Sequence, residues 1–148
     1  MTTIEVHVDE AGGTRLVGQA DQRDLFNRVV ASVALGNTDD HLRNHGFLAD
    51  RGAGTLSPAF DVNPTPDLQR RRAMSILGAD TFPDEVEAVL ALGAECGLTP
   101  AQARERMIAI ASGMACWPDA ARAHGIASRE IALMAESITP RLEAVAGA

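Results

Sequence analysis

Asp39 and Asn44 stand five residues apart in the polar run Asn37-Thr38-Asp39-Asp40-His41-Leu42-Arg43-Asn44, and Asp61 follows seventeen residues after Asn44. Asn44 and Asp61 offer hard oxygen ligands of the kind magnesium takes. Asp39 is a separate carboxylate able to accept a proton from a hydroxyl. Phosphoryl transfer needs this division of labour: one Asp orients and deprotonates the attacking hydroxyl, while an Asn and a second Asp hold the metal that bridges nucleotide phosphates. Arg43, always charged, is placed to neutralise charge on the transferring group. His41 and His45 are four apart, a spacing that aligns two transition-metal ligands only on a helix. The stretch opens with Gly36-Asn37 and reads as loop, so zinc is set aside and Asp40 is expected to be solvated.

For these groups to meet, the elements around them must return the chain on itself. Leu25, Phe26, Val29, Val30 and Val33 recur at helical spacing through Leu35, after Asp21 as a cap and before Gly36 as a stop. Past the polar loop, Phe47-Leu48 and Thr55-Leu56 flank the turn Arg51-Gly52-Ala53-Gly54, a hairpin that brings Asp61 back towards Asn44. The run SPAFDVNPTPD carries three prolines in eleven residues and is expected to be irregular but rigid. At the start, Ile4, Val6 and Val8 alternate before Gly12-Gly13 and Leu16-Val17, the pattern of another hairpin. From Pro83 onward the chain reads as helices opened by Pro83, Thr99-Pro100, Pro118 and Ser128, the last with a kink at Pro140.

Composition sets the frame for these elements. Over 148 residues the hydrophobic share is 46% and the aromatic share 3%, so the core must be built from Ala, Leu, Val, Ile and Met, which favours helix over sheet. The fold class is therefore mainly α (α+β), with residues 1–20 as a hairpin segment and 21–148 as the main domain. Net charge is −7, which argues against a direct nucleic-acid binder. All 13 basic residues are arginine, and lysine is absent. Arg70-Arg71-Arg72 reads as a surface turn, Met74, Met107, Met114 and Met134 as core, and Trp117 as a packing anchor. Cys96 and Cys116 read as reduced, small core residues. With no leader-like opening and no apolar run of membrane-spanning length, the expected location is the cytoplasm, away from membranes.

GNTDDHLRN followed by LSPAFD resembles the catalytic and metal-binding loops of HipA-type serine/threonine kinases, the toxins of bacterial toxin–antitoxin pairs. The family pattern, G-N-x-D-x-H-x-K-N, a hairpin, then L-x-P-x-Y-D, falls here on Gly36, Asn37, Asp39, His41, Arg43 and Asn44, then Leu56, Pro58, Phe60 and Asp61. The likeness runs from about Asp21 to Leu142. It implies a protein-kinase-like C-lobe, with Asp39 as proton acceptor and Asn44 and Asp61 as ligands of Mg2+. His41, Arg43 and Phe60 would line the phosphate site of ATP. Residues 1–20 resemble the opening strands of the family's N-terminal region, after which a full nucleotide-binding lobe would be expected.

Here the chain passes from Gly18 to the pre-catalytic helix within a few residues. The strand lysine and glycine-rich loop of such kinases have no counterpart, and Arg43 and Phe60 replace the family's Lys and Tyr. The expectation is a kinase C-terminal domain that transfers phosphate to a protein hydroxyl weakly or not at all alone, and that could regain activity with a complementary N-lobe protein. The competing expectation is a non-catalytic module that binds an antitoxin or a separate kinase lobe.

Overall fold

A computed structural model describes residues 7–10, 13–16, 19–50 and 53–148. In chain order the elements are β1 (His7–Glu10), β2 (Gly13–Leu16), α1 (Gln19–Leu35), a 3-10 turn at Leu42–Asn44, β3 (Phe47–Asp50), β4 (Ala53–Leu56), α2 (Asp84–Glu95), α3 (Pro100–Met114), α4 (Trp117–Ala123) and α5 (Ser128–Ala146). The fold is mainly helical. β1 pairs antiparallel with β2, and β3 with β4, where Phe47 faces Leu56 and Asp50 faces Ala53. Ile4 and Val6 of the expected first hairpin lie outside the described residues, as do Arg51 and Gly52 of the second turn.

α1 is the central helix, in contact with α2, α3 and α5. Its Phe26, Val30, Val33 and Ala34 are completely buried, at the helical spacing that makes one face apolar. They meet Val86 and Val89 of α2, Ala103, Met107 and Ala111 of α3, and Val145 of α5 in one core. Each fully buried Val or Phe of this kind contributes about 1.5–3 kcal/mol by leaving water.

The helix ends follow local rules more closely than the caps foreseen for them. α1 stops in a Schellman motif. Gly36 adopts φ 71°, its N–H donates to the Val33 carbonyl at 3.1 Å, and the Asn37 N–H donates to the Ser32 carbonyl at 2.9 Å. α3 opens with a capping box, where Thr99 and Gln102 exchange side-chain and backbone hydrogen bonds. Two expected caps are displaced. α1 already starts at Gln19, which puts Asp21 inside its first turn, and α5 is preceded by Ala127, which leaves Ser128 as a helical residue. α5 continues through Pro140 as a single helix.

Four burial expectations are corrected by tertiary packing. Arg72 is not part of a surface turn: Arg70 and Arg71 are exposed, but Arg72 is only 7% exposed. Asp40 is buried rather than solvated, Cys116 is exposed while Cys96 is buried, and Met74 is exposed. Trp117 opens α4 and is half-buried. Among the described residues, no helix is long and apolar enough to cross a membrane.

Candidate functional site

The Schellman turn delivers the chain from the core straight into the polar loop, and three backbone segments converge there. The Gly36 carbonyl accepts from the Thr65 N–H at 3.0 Å, the Asn37 Oδ1 accepts from the Asn63 N–H at 3.4 Å, and the Thr38 carbonyl accepts from the Ala73 N–H at 2.7 Å. The proline-rich segment after β4 is thus fastened to the start of the loop. Farther up, the Ser57 N–H donates to the Gly46 carbonyl at 2.8 Å, and Arg28 of α1 donates to the Ser57 carbonyl. The rigidity expected from three prolines is reinforced by these bonds, which fix an irregular stretch without a sheet.

Within the loop, the Asn44 Nδ2 donates to the Asp39 carbonyl at 3.3 Å, and Asn44 is buried. Its amide nitrogen is therefore committed inward, which leaves Oδ1 as the atom able to meet a cation. Asp39 has its carbonyl anchored while the residue is exposed, the arrangement a base needs if a substrate hydroxyl is to reach it. Asp61 is exposed, accepts from the Asn63 Nδ2 at 2.7 Å, and adopts φ 57°, the left-handed region that Asp tolerates better than most residues. Backbone held in this region collects at functional sites.

Asn44 and Phe60 line one cavity of about 150 Å³, together with Arg28, Ser32, Asn37 and His45. The other residues singled out from sequence are arranged differently. His41 lines a separate cavity of about 230 Å³ with Leu25, Val29 and Arg72, and Arg43 is exposed in the 3-10 turn. Asp39 and Asp61 line neither cavity. No cluster of three or more His, Cys, Asp or Glu able to hold a metal occurs among the described residues. An Asn–Asp pair with remaining positions left to water and phosphate is nevertheless a donor set that suits magnesium, which keeps several waters and takes few protein ligands.

Beneath the loop lies an ionic network. Asp40 pairs with His45 at 2.8 Å and with Arg72 at 3.6 Å. Arg72 also donates to Glu85 at 3.1 Å and to the Ser32 Oγ at 3.0 Å. Glu85, completely buried, pairs in addition with Arg141 of α5. Arg141 donates further to Ser137, to the carbonyls of Val33 and Leu68, and stacks over the Phe82 ring at 5.3 Å. Burial pulls the Asp40 carboxyl up, but hydrogen bonds from His45 and Ser32 and the charges of His45 and Arg72 outweigh it and hold the group below its ordinary value. Sequence offered little sign of this network, because Arg72, Glu85 and Arg141 are far apart in the chain and each sits among ordinary surface-type residues.

A mainly helical domain, with a polar loop tied to a proline-rich return segment beside Asn44, is the class of protein these features define. The model of the HipA-like C-terminal domain matches residues 6–117, and the chain belongs to that family. The match ends at Trp117, so all but the first residue of α4 and the whole of α5, with the buried Arg141, lie beyond it. A Haemophilus influenzae (strain Rd) protein named "Putative kinase" is 38% identical over 53 residues, 33% of this chain. The matched stretch spans 16% of that protein's length. No solved structure matches the chain at a significant level.

Proposed function

We propose that this chain carries the catalytic loop of a HipA-type serine/threonine kinase in a protein-kinase-like C-lobe, and that it works only together with a lobe it does not itself supply. The observation that carries this reading is the fastening of the Asp61 segment to the Asp39–Asn44 loop through Asn37, with Asn44 and Phe60 on one cavity. In the proposed reaction the oxygen of a protein hydroxyl forms a bond to the γ-phosphorus of ATP as the β–γ bridging bond breaks. The hydroxyl proton passes to the Asp39 carboxylate. Asn44 Oδ1 and the Asp61 carboxylate would hold Mg2+, whose charge offsets that of the phosphates. Arg43 adds an exposed positive charge next to Asn44, and His41 and Phe60 belong to the phosphate side of the site by their place in the family pattern.

Two features support incompleteness. Lysine is absent, and one well-placed charged donor is worth about 10²–10³ in rate. The cavity of about 150 Å³ falls below the roughly 300–1,000 Å³ of a pocket that encloses a small-molecule ligand. Titration calorimetry with Mg2+–ATP, run beside a transfer assay with radiolabelled ATP, tests the reading. The isolated chain is expected to bind weakly and to transfer little phosphate, with the residual transfer abolished by Asp39→Asn. Micromolar binding with brisk transfer by the chain alone defeats the claim of incompleteness, and transfer insensitive to Asp39→Asn defeats the assignment of the base.

A second reading has its own support. Leu42 is 73% exposed, Phe60 47% and Val62 43%, all on the loop and return segments. Apolar side chains left in water beside a would-be site suit a surface that another protein covers, whether an antitoxin or a separate kinase lobe. In this reading the chain is a non-catalytic module in the cytoplasm. Partner binding that survives Asp39→Asn and Asp61→Asn but fails on Leu42→Ser, with no phosphate transfer in the complex, favours it over the kinase reading.

A further inference from the structure

We propose that Asp40 and His45 are positioning residues that set the spacing of Asp39 and Asn44, and that Arg72 anchors this clasp to the helical core. The inference rests on the kinase reading for its functional meaning, while the clasp itself is tested below without it. Two bonds cross the loop side by side: Asn44 to the Asp39 carbonyl at 3.3 Å, and His45 to the Asp40 carboxylate at 2.8 Å. Each joins residues five apart, and the second starts one position after the first. The five-residue excursion they enclose contains the 3-10 turn, in which the Asn44 N–H donates to the His41 carbonyl at 2.8 Å and the His45 N–H to the Leu42 carbonyl at 3.2 Å. Leu42 and Arg43, at the tip, are exposed.

A short turn with an exposed tip has little packing of its own to define its width. The clasp supplies that definition because Asp40 is buried and His45 is mostly withdrawn from water, with side chains 9% and 14% exposed. It is tied to three elements at once. Arg72, with its side chain 2% exposed, reaches Asp40 from the segment before α2, Glu85 of α2 holds Arg72, and Ser32 of α1 takes the other Arg72 nitrogen. Ser32 Oγ also donates to the Asn37 carbonyl at 3.1 Å, which returns the network to the loop's first residues. Asp40 and His45 also form the wall between the two cavities, since both residues line each of them. The only polar bond that restrains the Asn44 carboxamide, among the described residues, lies one position from the clasp. Loss of the clasp therefore frees the Asn44 carboxamide to rotate, and with it the atom assigned to the cation.

Nuclear magnetic resonance on the full, labelled chain tests this directly. In the wild type, one Asn44 side-chain amide proton is expected to exchange slowly and to contact Asp39. Asp40→Ala and His45→Ala should speed that exchange by about tenfold, the scale of one net hydrogen bond, while backbone amides of α3 stay protected. His45→Gln, which keeps a side-chain N–H donor for Asp40, should restore the slow exchange. A purely structural residue would loosen the α3 amides as well and would not be rescued by Gln. Slow exchange that persists in a folded His45→Ala variant, or is lost in a folded His45→Gln variant, overturns the proposal. Mn2+ then serves as a separate probe. Paramagnetic broadening at Asn44 and Asp61 in the wild type, weakened in His45→Ala, links the clasp to the cation site. Absence of broadening in the wild type counts against the metal assignment and leaves the exchange result to decide on the clasp.

Discussion

Asp39 and Asp40 are chain neighbours of identical chemistry with opposite environments. Asp39 is exposed, with its carbonyl pinned, and Asp40 is buried between His45 and Arg72. The same contrast divides the arginines. Arg43, Arg70 and Arg71 are exposed, whereas Arg72 and Arg141 share the buried Glu85. The charges of Asp39, Arg43 and Arg70 face solvent, and Arg71 pairs with Asp80 at the surface. Charges beneath the loop are used up on one another, and their burial fixes where the rim residues stand.

The sharpest break of that contrast comes from its buried side. Glu85→Ala leaves two buried guanidiniums without their shared partner, and a loss of about 3–5 kcal/mol in unfolding free energy is expected from denaturant titration. A loss under about 1 kcal/mol would mean that the network contributes no more than exposed pairs do. Gly93→Ala sets the scale for pure packing. Its new Cβ would sit 2.7 Å from the Ala103 Cβ where α2 crosses α3, and overpacking of this kind costs about 1–3 kcal/mol, less the helix-propensity gain.

The Asp40 environment makes a prediction in pH. Its folded-state carboxyl is held below the ordinary value, so the stabilisation is complete above the unfolded value and disappears as pH falls through the folded one. The stability difference between wild type and Asp40→Asn should shrink as pH falls below about 4. A difference that widens on acidification would show that the carboxylate is not the stabilising form. Asp39→Asn, by contrast, should change stability by less than about 0.5 kcal/mol, as expected for an exposed position, and should act only on phosphate transfer. The smallest effect concerns the thiols. Burial and the nearby Glu95 push the Cys96 thiol up, so alkylation at neutral pH should modify Cys116 well before Cys96. Equal rates would show that Cys96 is open to solvent.

Much of this was legible in the amino-acid order because it depends on neighbours in sequence. The apolar period of α1, the stop at Gly36, the Thr99-Pro100 opening of α3 and the return after Leu56 are local matters of side-chain spacing and backbone freedom. The motif residues Asp39, Asn44, Phe60 and Asp61 could be singled out for the same reason. Burial of polar groups could not. Arg72 reads as one of three equivalent arginines until Glu85, thirteen residues on, and Ser32, forty residues back, claim it and leave Arg70 and Arg71 in water. Arg141 acquires its partner across fifty-six residues. His41 and Asn44 share a motif, yet they line different cavities: His41 precedes the 3-10 turn in extended backbone (φ −135°, ψ 165°), whereas Asn44 is the last residue of the turn. Residue type and spacing determined which groups can do chemistry. Only the packing of α1, α2 and α5 decided which charges are spent in the interior and which remain at the rim, since desolvation depends on the surroundings of a side chain in space.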